Sequence, residues 1–463
     1  MSGRYDLVIV GLGSGGTVAA ELATSLGKRV AAVEGRRIGG DCLWTGCVPS
    51  KTLLASAKAA HTLRHADRYG LEPVNAEIDT APVWRRVRAI RQELAETDDS
   101  PERFAALGVD VYAEMGRLVA ADTVELESGR RLTGRFVLLC TGSRSAVPAI
   151  EGLEQAGYLT TETVWELERA PDSLIVIGGG PVAVELAQAC VRLGVQTTML
   201  QRGAGILMRD EPQLAHRLAD ALHAEGVTLE LGVDAASVTV EDGAKVVRGG
   251  AGQWRAREVL VATGRTPATD GLGLERLGIA TTARGVTVDR SLRTSLKSVY
   301  AVGDVAGRFL FTHAAGYEAA TAVRNMFFPG SERAPETMPW CTFTDPELAH
   351  VGMTEAEARE RHGDRAVRVW RHDLARSDRA RTDGHGAGEL RVVTARGRVV
   401  GAHALAPAAG ELIHELALAV RERMRLRDLA GLVHIYPTLA LGFGQLAGEA
   451  ATQRARRLRV FSR

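Results

Sequence analysis

Apolar residues along this chain come in short unbroken runs, separated by glycine turns and amphipathic stretches. That is the pattern of buried parallel strands alternating with helices. The first run is DLVIVGLGSGG from Asp6, and it leads through a predicted helix over about residues 15 to 26 into RVAAVEG, whose acid is Glu34. The same order returns in SLIVIGGGPVAVE from Ser173, with a helix to about Leu193 and a strand QTTMLQR that closes on Arg202. The two copies lie about 165 residues apart. Strand, glycine turn, helix and strand within about 30 residues is the setting in which GxGxxG or GxGxxA binds a dinucleotide.

In such a turn Gly11 permits the tight bend, Gly13 lets the main chain approach a pyrophosphate, and Gly16 brings the helix close to the strand. Gly178, Gly180 and Ala183 fill those places in the second copy. Each helix start offers unpaired N–H groups and a partial positive charge to phosphates. The residue that closes the second strand selects the ribose. Glu34 can accept hydrogen bonds from an unphosphorylated ribose. The second copy has neutral Gln201, then Arg202, with Arg209 nearby. A guanidinium pairs with a 2′-phosphate where a carboxylate would repel it, so this site is expected to prefer NADPH, with NADH as the alternative.

A stretch VLVATGRTPATDGLGLE from Val259 closes the second unit, and SVYAVGDVAG at residues 298–307 is a further strand ending in Gly-Asp. Beyond the turn-rich FFPGSERAPETMP at 327–339, mixed strands and helices follow with no glycine nucleotide motif. A length of 463 residues exceeds what one core supports. The expected fold is therefore α/β: two Rossmann-like dinucleotide-binding domains plus an α+β C-terminal unit. The expected boundaries are 1–150 with 266–335, then 151–265, then 336–463. Hydrophobic residues make up 45%, the net charge is +1, and no run reaches the roughly 18 apolar residues of a membrane span. A soluble protein follows, with no electrostatic reason for a nucleic-acid or membrane partner. The strand pattern begins almost at Met1, which leaves no room for a signal peptide and makes the cytoplasm the expected location.

Five cysteines are too few for a disulfide framework. Cys140, Cys190 and Cys341 sit singly in apolar stretches, as small buried hydrophobes do. Cys42 and Cys47 are different, because they are close together in the Gly-rich segment GGDCLWTGCVPSK. On a regular helix an i, i+5 pair is about 140° apart with a rise of about 7.5 Å. Bridging them needs a distorted backbone, which Gly46 permits. Pro49 suits the first turn of a following helix, so Cys47 sits at that helix's start, where a thiolate is favoured. Lys51, a cation in the same turn, opposes the helix dipole and needs a partner, for which Glu185 is a candidate.

The cysteine segment resembles the GGxCxxxGCxPSK signature of the pyridine nucleotide–disulfide oxidoreductases, which include lipoamide dehydrogenase, glutathione reductase and mercuric reductase. The likeness runs through GLGSGG, the cysteine segment, TGSRSAVP (141–148), GGGPVAVE, ATGRTP (262–267), YAVGDV and FTDPE (343–347). It implies FAD on the first glycine turn, with Gly40, Thr141, Gly142 and Gly264 among the cofactor-binding positions and Asp304 near the ribityl chain. It also implies NAD(P)H on the second turn and a C-terminal domain that forms a two-fold homodimer. The residue matching Cys42 attacks substrate, the one matching Cys47 lies against the flavin, and Lys51 with Glu185 forms an ion pair at its reactive edge. No resident metal is implied.

The chain departs from the family at one place. Disulfide-reducing relatives carry His-Pro-Thr-x-x-Glu, whose histidine is the acid–base group toward the partner's cysteines; here HIYPTLALG puts Tyr436 and Leu441 in the His and Glu positions. A phenol with pKa near 10 cannot shuttle protons at neutral pH as an imidazole does, and His434 is the candidate substitute. Tyr436 and the Arg after Gln201 both resemble mercuric reductase. The C-terminus RARRLRVFSR has no vicinal cysteines and no N-terminal CxxC domain is present, so mercury delivery is not expected to follow that enzyme. The leading expectation is an NADPH-dependent, FAD-containing reductase passing electrons through Cys42 and Cys47 to a disulfide, metal ion or quinone-like acceptor. A dihydrolipoyl dehydrogenase-type enzyme and a non-catalytic FAD-binding assembly module are the alternatives.

Overall fold

The computed structural model describes residues 3–75, 77–385 and 387–460, with side chains to residue 456. Residues 461–463 of the C-terminal stretch lie outside the described residues, as do the first two residues of the chain. The opening apolar run forms strand β1 (Tyr5–Val10), followed by helix α1 (Ser14–Ser25) and strand β2 (Val30–Val33). Helices α2 (Gly40–Trp44) and α3 (Cys47–Arg64) carry the cysteine segment. Strands β3 (Val109–Tyr112), β4 (Gly116–Ala120), β5 (Thr123–Leu126) and β6 (Arg131–Leu139) complete the first sheet in the order β3-β2-β1-β6-β5-β4. The central pairings β1–β2, β1–β6 and β2–β3 are parallel. Leu7 and Ile9 on one face and Val8 on the other are fully buried, so β1 is a two-sided core strand, as its unbroken apolar run requires.

A second parallel sheet orders its strands 228–231, 196–201, 173–177 and 258–261. Helix Pro181–Arg192 packs on it, and an antiparallel three-stranded ribbon (237–241, 244–249, 252–256) flanks it. The chain then returns to the first sheet. Arg265–Pro267 pairs antiparallel with Ser143–Ser145, and Val299–Ala301 pairs parallel with β6. The first unit is thus split around the second by a two-stranded link. The C-terminal unit is a five-stranded antiparallel sheet in the order 340–342, 347–352, 398–406, 389–395 and 367–373, with its own apolar core. The architecture is the expected α/β one, with an α+β third unit. No described helix is long and apolar enough to cross a membrane.

Candidate active site

Both glycine turns open into one cleft of about 1830 Å³. A single small-molecule site typically spans about 300–1,000 Å³, so this one has room for two nucleotides. At the first turn Gly11 has φ +97°, and a side chain there would meet the Cys140 carbonyl. Its N–H donates to Val33 O at 2.8 Å, which fixes the bend against β2. Gly13 faces Gly40 so closely that a Cβ on Gly40 would lie 2.7 Å from the Gly13 Cα. Gly16 is inside α1, where a Cβ would strike the Gly11 carbonyl. The result is a side-chain-free cradle at a helix start, which fits a pyrophosphate. Glu34 Oε2 accepts from Leu12 N at 2.7 Å and Oε1 from Arg36 N at 2.8 Å. Burial pushes its carboxyl pKa up against those two backbone bonds. Glu34 thereby ties the strand end to the turn while still lining the cleft.

The second turn repeats the backbone. Gly178 has φ +131° and donates its N–H to Leu200 O at 2.9 Å. A Cβ on Gly180 would meet nothing, and Ala183 is fully buried between helix and strand. Arg202 and Arg209 are exposed at the cleft wall, Arg209 lying 5.4 Å from the Trp340 ring centroid. Among the described residues neither has a carboxylate partner, so both guanidinium groups are available to an anion.

Between the turns lies the cysteine segment. Helix α2 ends at Trp44 and α3 begins at Cys47, with Thr45 and Gly46 as the break. Two N–H groups, of Thr45 (2.9 Å) and Gly46 (2.6 Å), converge on the Asp41 carbonyl. From outside, Trp165 Nε1 donates to Thr45 O at 2.9 Å and Arg91 Nη1 to Trp44 O at 3.0 Å. The break the i, i+5 spacing demands is therefore pinned on both sides. Both cysteines are unbridged here. A hydrogen bond from Cys42 lowers the Cys47 pKa to about 6, and the Thr312 hydroxyl 3.3 Å from Cys47 Sγ and the Lys51 charge act in the same direction. That bond and burial drive the Cys42 pKa strongly upward. The two sulfurs titrate as a pair, with Cys47 the more acidic side of it.

Lys51 Nζ donates to Glu185 Oε2 at 2.8 Å and lies 4.5 Å from the Phe343 ring centroid. Glu185 is almost fully buried, and its Oε1 accepts from Phe343 N at 2.9 Å. The cation opposing the α3 dipole is thus held by an acid from the second unit, and that acid by a backbone N–H from the third. Thr141, Gly142, Gly264 and Asp304 line the same cleft, Asp304 Oδ2 accepting from Ser143 Oγ at 2.5 Å.

His434 and Tyr436 are elsewhere. Neither lines the cleft of its own chain. His434 Nε2 is 3.1 Å from Glu415 Oε2 and its Nδ1 is 3.2 Å from Leu432 O. Tyr436 is exposed and donates to Asp378 Oδ2 at 3.1 Å, a bond that raises the phenol pKa further above neutrality. Among the described residues no cluster of three or more His, Cys, Asp or Glu could hold a metal ion. Thr312, Phe343, Asp41 and Arg265 were not singled out from sequence. Phe343 and Arg265 lie in the FTDPE and ATGRTP motifs, and Asp41 directly precedes Cys42, but no local pattern marks Thr312.

The family model described as pyridine nucleotide-disulphide oxidoreductase matches residues 5–319, and its dimerisation domain matches residues 338–447. The chain is 34% identical to the mercuric reductase of Streptomyces lividans over 454 residues, covering 94% of each chain. It is 31% identical to the glutathione reductase of Burkholderia cepacia, covering 95% of this chain and 97% of that one. To the dihydrolipoyl dehydrogenase of Bacillus subtilis (strain 168) it is 30% identical, covering 96% and 98%. The solved Cu(II) complex of the HOCl-induced flavoprotein disulfide reductase RclA from Escherichia coli has a TM-score of 0.85 at 24% identity, covering 96% of this chain and 99% of that one. At that identity the likeness is one of fold.

Proposed function

This chain belongs to the pyridine nucleotide–disulphide oxidoreductase family, and we propose that it uses NADPH to reduce an acceptor that needs little general-acid help. Such an acceptor is a metal ion, a quinone-like molecule or a disulfide with a good leaving thiol. The observation that carries this is the meeting of Cys47 Sγ, the Thr312 hydroxyl and the Lys51–Glu185 pair where two glycine turns share one cleft. FAD held on the first turn supplies the two-electron relay between nicotinamide and sulfur. The residues prepare both ends of it. Arg202 and Arg209 present charge to a 2′-phosphate, and Glu185 fixes Lys51. Thr312 and Lys51 stabilise negative charge on Cys47, while Cys42, one residue beyond Asp41, keeps its proton against Cys47 Sγ until an acceptor is engaged.

No imidazole stands at Tyr436, so a poor leaving thiolate would depart unprotonated. Relatives named mercuric reductase make a soft metal ion the first acceptor to test. One observation favours a second, lipoamide-dehydrogenase-like reading. His434 is oriented by Glu415 two residues from the substituted position, so a substitute acid is available on that segment. The proposed working form is a cytoplasmic homodimer. The test is NADPH oxidation by purified enzyme with mercuric ion, small disulfides and quinones, beside NADH with dihydrolipoamide. Fast turnover with the first set supports the proposal. A large NADH preference with rapid dihydrolipoamide oxidation would replace it with the second reading.

A further inference from the structure

Asp41 is an acid in an unfavourable place. Gly40, its neighbour, touches the Gly13 backbone of the phosphate cradle, and both residues line the cleft. A carboxylate there would repel an anion seated at the α1 start. Three acids crowd this wall. Burial pushes the Asp41 carboxyl pKa up most strongly, and Glu162 and Asp304 add to it as like charges.

Arg265 bridges two of them. Arg265, on the link strand that returns from the second unit, places Nη2 against Asp41 Oδ2. The same guanidinium donates from Nε to Ser143 Oγ at 2.6 Å and from Nη2 to Ser143 O at 3.1 Å. Its Nε is 3.5 Å from Asp304 Oδ2. Arg265 is mostly buried, its side chain 22% exposed, against 40% for Asp41. A rigid fork that reaches three chain segments at once is a role for Arg and not for Lys.

We infer that Arg265 is a positioning residue for the flavin nucleotide, whose work is to neutralise and hold aside Asp41 so that the first glycine turn accepts a pyrophosphate. The inference rests on FAD occupying that turn. Without the guanidinium, Asp41 becomes an unpaired acid beside the anion cradle, and cofactor binding weakens. The second nucleotide site, which has its own glycine turn and arginines, is untouched.

The experiment measures FAD affinity of the apoprotein by flavin fluorescence quenching, beside NADPH binding. Arg265→Gln is expected to weaken FAD binding on the order of 10- to 100-fold. Asp41→Asn alone is expected to bind FAD like the wild type, and the double variant to recover most of the loss, which a merely structural role for Arg265 would not produce. NADPH affinity is expected to stay constant throughout. Unchanged FAD affinity in Arg265→Gln, or a double variant as weak as the single one, overturns the inference. Wild-type apoprotein that takes up no FAD overturns the reading beneath it as well. Apoprotein melting shows whether Arg265→Gln folds. If it does not, Arg265→Lys, which keeps the charge and loses the fork, is measured with and without Asp41→Asn, and relief by Asp41→Asn decides in the same way.

Discussion

The two glycine turns share a backbone and differ in what closes them. In each, the first glycine donates to the residue just before the strand-closing position, Val33 in one and Leu200 in the other. After that point they part. Glu34 turns its carboxylate back onto the Leu12 and Arg36 N–H groups. Gln201 instead ties its amide to Gly205 O at 3.2 Å and leaves Arg202 facing the cleft. The two turns repeat the glycines and the period, and they diverge in one or two side chains at the strand end. A second difference lies beyond the turns. The cradle of the first packs on the cysteine segment through Gly40, whereas the second sends Glu185 to Lys51.

The largest expected effect separates chemistry from nucleotide binding. Cys42→Ser or Cys47→Ser removes disulfide or metal reduction by at least about a thousandfold, while FAD and NADPH stay bound at both turns. Steady-state assays with equilibrium binding check this, and near-normal turnover by both variants would break the assignment. Next in size is Arg202→Glu, expected to raise KM for NADPH about 10- to 100-fold with little change for NADH. Equal loss with both nucleotides would mean the second turn does not read the 2′-phosphate.

Third comes the titration of the reduced pair. The thiolate is the nucleophile, and the Cys47 pKa is lowered. Alkylation of Cys47, followed by peptide mass spectrometry, should therefore fall as pH drops through about 6, well below the about 8.5 of a free cysteine. Thr312→Val should move that midpoint upward. A midpoint near 8.5 in the wild type would show that Cys42, Thr312 and Lys51 leave the sulfur unperturbed. The smallest effect concerns neither turn. Tyr436→His alone should restore little lipoamide activity, since Leu441 cannot orient the new ring, and strong rescue would show that orientation is dispensable.

Much of this was legible in the sequence for a physical reason. Strand period, glycine turns and the cysteine spacing are local, so a window of about 30 residues contains them. The charge argument for Lys51 was also local, because a cation at a helix start asks for an acid, and Glu185 stands 2.8 Å away. Meetings across the chain were not legible. Asp41 and Arg265 are separated by 224 residues, and Cys47 and Thr312 by 265. Whether an acid beside a phosphate cradle is neutralised depends on which distant strand the link brings to it. The position of His434 two residues before Tyr436 makes it a candidate substitute base, but nothing local in the sequence points to its partner Glu415.

On the proposed function, electrons from the nicotinamide pass a flavin and come to rest on Cys42 and Cys47. Anaerobic reductive titration of the purified holoenzyme tests it most directly. Uptake of about four electrons per subunit is expected, two for the flavin and two for the disulfide, falling to about two in Cys42→Ser. Uptake of about two by the wild type would contradict it.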